Sequence, residues 1–180
     1  GTDYHIVVMD KLKKLKEELL PEREVKMFSD TGPLSDRDVA LRCGLGTRGK
    51  NGSVINSEIG GMFFIGYMIT DVEYELWQGE EGKAVYCGEC DRCIRACPNS
   101  AISDGKCDYS RCISYITQKK GALSDEEYKA IGRQIYGCDV CQRVCPYNKN
   151  FKVSENEYAY PDIEKLLNMT NREFKEIYGN

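Results

Sequence analysis

The most informative segment of this chain reads Cys87-Gly-Glu-Cys90-Asp-Arg-Cys93-Ile-Arg-Ala-Cys97-Pro98. Its spacing is C-x2-C-x2-C-x3-C-P, the run found in bacterial two-cluster ferredoxins. Three cysteines spaced by two can wrap a short loop around one iron–sulfur cubane. The fourth cysteine, followed by proline, starts a new chain direction and points to another cubane. The stretch therefore predicts iron–sulfur clusters.

A second run, residues 138–146, repeats this pattern without its first member, because Ile135 stands at the missing position. The ferredoxin cross-over rule predicts one [4Fe–4S] cluster on four thiolates: Cys87, Cys90, Cys93 and Cys145. The second [4Fe–4S] cluster then has four ligands, of which the last is open: Cys97, Cys138, Cys141 and either Cys107 or Cys112. Spacing alone does not choose between the last two.

Ten cysteines in 180 residues also suit zinc sites or, in secreted domains, disulfides. Zinc usually takes two separated pairs of ligands, which leaves three tightly spaced cysteines followed by a fourth and proline unexplained. We therefore predict clusters in a reducing, cytoplasmic compartment. Cys43 and the unused member of the Cys107/Cys112 pair are predicted to be buried thiols that pack as small apolar side chains.

The composition, 41% hydrophobic and 30% charged, is typical of a soluble globular protein. The longest apolar stretch, Ile59–Thr70, is too short to cross a bilayer and predicts a buried strand. We see no signal peptide, so no membrane partner is expected. The formal net charge of −4 does not favour general phosphate binding, so any nucleic-acid contact needs local basic patches.

Local patterns predict an α+β protein in three parts. Residues 1–84 form an α/β portion, residues 85–147 carry the clusters, and residues 148–180 are a linker and the start of a helical region. Helices are predicted over residues 9–20, 35–43, 109–118, 124–136 and 162–168, with one more capped by Thr170. Strands are predicted at Val25–Phe28, Val54–Ile55 and Met62–Thr70.

Three features of the first portion suggest chemistry beyond electron transfer. The loop Gly44–Gly52 has four glycines and two cations, which suits either close approach to a ligand or an ordinary helix-to-strand loop. Asp30, before Thr-Gly-Pro, is either a turn residue or a general acid beside a redox ligand. His5, the single histidine, is predicted to be a structural residue near a strand start.

Taken together, the motifs resemble those of the epoxyqueuosine reductases. The matching stretches are Asp30-Thr-Gly-Pro-Leu-Ser-Asp-Arg-Asp, Gly44-Leu-Gly, Gly49-Lys-Asn51, both cysteine runs, Arg111-Cys-Ile-Ser-Tyr115 and Tyr136-Gly-Cys-Asp-Val-Cys-Gln142. Their order and spacing hold from about Asp3 to Asn148. Reductive dehalogenases are similar in plan but match the Arg111–Tyr115 stretch less well.

The resemblance implies a cobalamin-binding portion of nitroreductase-like fold followed by a ferredoxin-like domain with two [4Fe–4S] clusters. Such enzymes take electrons from an external donor and reduce epoxyqueuosine, in the anticodon loop of tRNA, to queuosine. By the same resemblance Cys112 completes the second cluster and Asp30 is the proton donor. It also implies corrinoid contacts at Asn51, Val54, Ser114 and Asp139.

The sequence departs from that family in several places. Thr47-Arg48 replaces a pair that usually contains an aromatic residue, and Cys43 stands where a small residue is usual. Family members carry a segment before residue 1 and helical repeats after residue 180, so the chain resembles the central portion of such an enzyme. Two other functions are open: a ferredoxin-type electron carrier, and a corrinoid reductase acting on another carbon–oxygen or carbon–halogen bond.

Overall fold

The computed structural model describes residues 3–73, 87–103, 105–152 and 162–178. Eight α-helices lie within these ranges: α1 (Tyr4–Leu19), α2 (Asp36–Arg42), α3 (Arg92–Ala96), α4 (Ile113–Gln118), α5 (Asp125–Ile131), α6 (Val140–Arg143), α7 (Ile163–Asn168) and α8 (Asn171–Tyr178). A 3-10 helix, Pro146–Asn148, follows α6. The described strands are β1 (Val25–Phe28), β2 (Thr47–Arg48), β3 (Val54–Ile55), β4 (Tyr67–Thr70), β5 (Ile102–Ser103) and β6 (Lys106–Cys107). They form three antiparallel pairs, β1–β4, β2–β3 and β5–β6, so the content is mixed α and β as predicted.

The first helix starts at Tyr4, and the prediction that it starts at residue 9 is wrong. Asp3 is its N-cap, because its carboxylate accepts a hydrogen bond from the His5 backbone N–H at 2.9 Å. His5 therefore lies in the first turn of α1, and the prediction of a nearby strand start is wrong. Of the helix residues, Leu12 is buried.

The sheet pair β1–β4 corrects one strand prediction. β1 has the predicted bounds, but the predicted strand over Met62–Thr70 is regular only in its last four residues, β4. The chain turns away after β1 at Asp30, so residues 62–66 lack a neighbouring backbone ladder. The hydroxyl of Ser29 donates instead to the Ile65 carbonyl at 3.0 Å.

Several side chains before β4 face solvent, so Ile59–Thr70 is not a continuous buried strand. Phe64, for example, is exposed. The predicted loop Gly44–Gly52 contains β2, which pairs with β3. Cys43, predicted to be buried, is exposed, and that prediction is wrong.

Two later helices are shorter than predicted. α4 starts after a turn in which Asp108 accepts a hydrogen bond from the backbone N–H two residues on, at 3.0 Å. α5 begins at the predicted capping box of Ser124 and Glu127, which is confirmed. It ends early because Gly132 adopts a left-handed φ of 59°.

The described core centres on α2 and β3. Ala40, Leu41 and Val54 are buried there, with Phe63 and Ile65 packed against them. Because β3 leads directly out of the Gly44–Gly52 loop, this core holds the loop in place next to the cysteine runs.

The chain forms two compact units, residues 2–151 and residues 152–180. In the first, the N–H of Gly105 donates to the Lys50 carbonyl at 2.9 Å, so residues of the two predicted portions are in contact. In the second, α7 is capped by Asp162 and α8 follows Thr170, as predicted. Among the described residues no helix has the length and apolar character needed to cross a membrane.

Candidate metal centres and active site

Two neighbouring cavities collect nine of the cysteines. The first is lined by the four thiols that the cross-over rule groups together: Cys87, Cys90, Cys93 and Cys145. Three of these lie in or just before α3, and the last lies between α6 and the 3-10 helix. Lys50, Asn51 and Ile55 complete part of the same wall. The fold thus brings the end of the second run to the loop of the first.

The second cavity is lined by the thiols predicted for the second cluster, including both candidates for its fourth ligand: Cys97, Cys107, Cys112, Cys138 and Cys141. Cys107 lies on β6, and Cys112 is the N-cap of α4. The two thiols contact each other. Burial raises the pKa of Cys107 to about 11, and the charge of Cys112 and its hydrogen bond add to this shift.

Cys141 lies at the centre of the second group. Burial raises the pKa of its thiol to about 12, and the neighbouring Cys138, Cys93, Cys112 and Cys97 add to the shift. Thiolates crowded together in a poorly solvated place need positive charge, which cluster irons supply when they bind. Cys93 belongs to the first group, so the two cavities are adjacent.

Backbone N–H groups point at one sulfur in each group. The N–H of Lys50 donates to Cys87 Sγ at 3.3 Å, and the N–H of Ala101 donates to Cys97 Sγ at 3.2 Å. Such hydrogen bonds stabilise a thiolate and tune the potential of an iron–sulfur cluster. The Lys50 ammonium also donates to the Gly88 carbonyl at 2.8 Å.

Asp30 lies in a polar site at the start of α1. It adopts a left-handed φ of 60°, uncommon outside glycine, and its N–H donates to the Asp36 carboxylate at 2.7 Å. Its own carboxylate accepts a hydrogen bond from the Tyr4 hydroxyl. Nε2 of His5 lies 3.5 Å from the same carboxylate. Asp30 is thus held by long-range contacts rather than by a simple turn.

Two contacts define the surroundings of that site. Gly32, in the loop after Asp30, lies so close to Tyr67 that a β-carbon there would clash with the Tyr67 hydroxyl, so the loop requires glycine. The ring of Tyr4 stacks on Phe64 with centroids 4.0 Å apart. Burial and the hydrogen bond to Asp30 raise the pKa of Tyr4, with a smaller contribution from Tyr136.

The predicted corrinoid contacts lie in different places. Asn51, Ser114 and Asp139 line the second cavity, and Asn51 also lines the first. Val54, by contrast, is buried in the core with 3% of its surface exposed, so its side chain does not face either cavity. A hydrogen bond holds the Asn51 side chain: its Oδ1 accepts from the Ser53 backbone N–H at 3.1 Å.

Two hydrogen bonds join Ser114, in the wall of the second cavity, to Tyr136. The Gln118 amide donates to the Ser114 hydroxyl at 3.0 Å, and the Tyr136 hydroxyl donates to the Gln118 carbonyl oxygen at 3.2 Å. Tyr136 in turn lies near enough to Tyr4 to affect its pKa. No spacing rule singles out Tyr4, because its contact with Asp30 joins residues far apart in the chain.

The site combines cysteine-lined cavities with polar groups of varied chemistry. Within the described ranges, no three His, Cys, Asp or Glu side chains converge tightly enough to hold a single metal ion. The thiols instead surround two volumes, an arrangement that suits multi-iron clusters held by one thiolate per corner. The amide, hydroxyl and carboxylate groups of Asn51, Ser114 and Asp139 suit the amide groups around a corrin ring.

Comparison with known proteins first defines the class. A sequence family described as "4Fe-4S double cluster binding domain" matches residues 86–148, which span both cysteine runs. The chain is therefore an iron–sulfur protein.

Over nearly its whole length, the chain is similar to epoxyqueuosine reductases. That of Bacillus anthracis is 45% identical, over 99% of this chain and 49% of the relative. A selenomethionine-labelled epoxyqueuosine reductase structure has a TM-score of 0.88 at 40% identity, and one with an epoxyqueuosine-modified tRNA stem loop has 0.82 at 39%. A Bacillus subtilis structure, described with its catalytic aspartate loop swung out of the active site, has 0.80 at 39%. Each of the three covers 99% of this chain and 50% of the other.

The predicted resemblance to epoxyqueuosine reductases is thus confirmed in sequence and in fold. The chain spans about half the length of the curated relatives it matches.

Proposed function

We propose that this chain is the cluster-bearing part of a reductase that converts epoxyqueuosine to queuosine in tRNA. The observation that carries the proposal is that one compact unit holds the two cysteine-lined cavities together with Asp30, whose carboxylate binds the Tyr4 hydroxyl and lies 3.5 Å from His5. A ferredoxin-type carrier needs the cysteines but gives no reason for that acid site. Relatives at 45% identity carry the name of this reductase.

In this proposal a nitroreductase-like portion for the corrinoid precedes a ferredoxin-like portion with two [4Fe–4S] clusters. The first cluster takes the thiols of the first cavity, and the second takes Cys97, Cys138, Cys141 and Cys112. Cys112 is favoured over Cys107 by the family resemblance, and both thiols line the second cavity.

Cobalamin and the clusters, when bound, supply low-potential electrons to the substrate carbon. By family resemblance Asn51, Ser114 and Asp139 would hold the corrinoid, and they lie beside the thiols assigned to the second cluster. Val54 would contribute through its backbone, since its side chain is buried. Lys50 and Ala101 orient cluster thiolates through their backbone N–H groups.

Asp30 supplies the proton in this mechanism. Conversion of the epoxide to an alkene consumes two electrons and two protons and releases its oxygen as water, so an acid must protonate that oxygen as its bonds to carbon break. The Tyr4 hydroxyl holds the Asp30 carboxylate in position, and His5, 3.5 Å away, can return a proton to it. The bond from the Asp30 N–H to Asp36 fixes the loop that presents this acid.

The substrate class follows from the relatives. One solved relative is described with an epoxyqueuosine-modified tRNA stem loop, and a catalytic aspartate loop is described for another. We assign tRNA as the substrate of the whole protein and Asp30 as the corresponding acid. Thiolate-bound clusters and a tRNA substrate both suit the reducing cytoplasm.

The first test is anaerobic. The clusters are reconstituted, cob(II)alamin is added, and its EPR spectrum is recorded. We expect the base-off signal of bound cobalamin beside intact cluster signals. An unchanged cobalamin spectrum with intact clusters would reject the corrinoid site and favour a ferredoxin-type carrier.

The second test isolates the acid. Asp30→Asn keeps the size of the side chain and is expected to leave cluster absorbance and cobalamin binding intact while lowering turnover of epoxyqueuosine tRNA by about 10²- to 10⁴-fold. Asp10→Asn, an exposed carboxylate on α1, is the matched control and should retain turnover. Full turnover in Asp30→Asn would remove Asp30 from the role of acid.

A further inference from the structure

A basic groove runs between α3 and α6, the two helices that carry cysteines of both runs. The helices pack against each other, and the groove between them is lined by five residues: Arg92, Arg95, Ala96, Arg143 and Val144. All three arginines are exposed. Among the residues that the structure describes, none that lines the groove carries a carboxylate, although the whole chain has a formal net charge of −4.

The positive charge of this groove is only partly balanced. Asp91 accepts a hydrogen bond from Arg95 Nε at 3.0 Å, but the Arg95 side chain remains 73% exposed. Within the described residues, neither Arg92 nor Arg143 forms an ion pair. Exposed guanidinium groups of this kind attract anionic surfaces and raise the rate of encounter with them.

The groove adjoins the first cluster cavity. Arg92 lines both the groove and the cavity of Cys87, Cys90, Cys93 and Cys145. Arg143 lies between Cys141 and Cys145 in the chain. A partner seated in the groove therefore contacts Arg92, which also lines the cavity of the first set of thiols.

We propose that this groove docks an acidic one-electron carrier protein that reduces the first cluster. The inference rests on the proposed function only in needing iron–sulfur clusters that are reduced from outside. With a flavodoxin as donor, the anionic hydroquinone gives one electron and becomes the neutral semiquinone. The oxidised [4Fe–4S]²⁺ cluster accepts that electron and becomes [4Fe–4S]¹⁺, and no proton is transferred.

The position of the groove favours a protein donor over RNA. Arginines also bind phosphates, so an RNA backbone is the main competitor for the same surface. The groove, however, shares Arg92 with the first cluster cavity, whereas the Asp30 site is formed by Tyr4, His5 and Asp36. Contact beside this cavity serves electron entry into the first cluster directly.

The test measures electron entry directly. The double variant Arg95→Glu/Arg143→Glu is compared with Arg23→Glu/Arg133→Glu, which makes the same change of charge at exposed sites outside the groove. Photoreduced flavodoxin is mixed with each oxidised, cluster-loaded protein, and cluster bleaching is followed by stopped flow. We expect a rate lower by on the order of tenfold or more, with a weaker salt dependence, in the groove variant alone.

Two control measurements, reduction by dithionite and iron content, complete the test. Dithionite, a small reductant, should bleach the clusters equally fast in all three proteins, and iron content should be equal. If the double variant loads iron poorly, Arg95→Glu alone replaces it. An unchanged rate with flavodoxin would overturn the proposal. So would an unchanged rate accompanied by weaker binding of a tRNA stem loop, which would assign the groove to RNA. Loss of reductase turnover with normal reduction by flavodoxin would count against the proposed function and leave the docking surface standing.

Discussion

Replacement of Asn148 by alanine should destabilise the larger unit strongly, because this buried side chain joins two distant segments. Asn148 is 8% exposed. Its Oδ1 accepts from the Gly61 N–H at 2.7 Å, and its Nδ2 donates to the backbone carbonyl and the side-chain oxygen of Gln142 at 2.9 and 2.8 Å. Gln142 donates in turn to the Ser53 hydroxyl at 2.7 Å.

The magnitude follows from these contacts. Asn148→Ala removes three hydrogen bonds and leaves the Gly61 N–H without its acceptor. At about 1 kcal/mol for each bond, the free energy of unfolding should fall by about 3 kcal/mol. For a chain of this size about 1 kcal/mol lowers Tm by roughly 2–4 °C, so the expected drop is about 6–12 °C.

The assay is thermal melting of the cluster-loaded protein, kept anaerobic and heated at one fixed rate, since cluster loss makes unfolding irreversible. Asn150→Ala is the matched control, because Asn150 is exposed and only two residues away. Asn148→Asp keeps an acceptor for Gly61 but loses both donors, so its Tm should also fall. A Tm for Asn148→Ala equal to that of the Asn150→Ala control would refute the assignment of Asn148 as a structural bridge.

Two other predictions address the second cluster and acid stability. Cys112→Ala should lose one cluster, about half of the bound iron, while Cys107→Ala keeps both, as iron analysis and EPR would show; the opposite pattern would assign Cys107 as the ligand. Lys119, at 2.6 Å, and then the Ser124 N–H hold the pKa of Glu127 below its ordinary value of 4.5. A carboxyl with a lowered pKa stabilises the folded state above its unfolded pKa, and that stability is lost as pH falls through the folded pKa. The Tm difference between wild type and Glu127→Gln should therefore be full at neutral pH and shrink as pH falls below 4.5 through the folded pKa, and a constant difference would contradict the ion pair.

Much of the metal site was predictable because ligand spacing is a local property. The cross-over rule grouped Cys145 with the first run, and the structure brings all four of those thiols into one cavity. Local capping signals worked equally well, as at Ser124 and Thr170. The choice between Cys107 and Cys112 was open in the sequence because both follow the first run at plausible distances, and both do line the second cavity.

The acid site was less predictable because its contacts are non-local. Asp30 was singled out, but the Tyr4 hydroxyl that binds it lies 26 residues away, and no spacing rule connects them. His5 lies in the first turn of α1 and not at a strand start, because Asp3 caps the helix. The strand before β4 was overextended because apolar composition does not reveal where a neighbouring strand turns away.

The segment around Lys50 and Asn51 touches both cysteine-lined cavities. The Lys50 N–H reaches a sulfur of the first group, and the Asn51 side chain forms part of the wall of each cavity. Because the two cavities share a wall, we expect the loading of one to depend on the loading of the other, so the two sites should mature together.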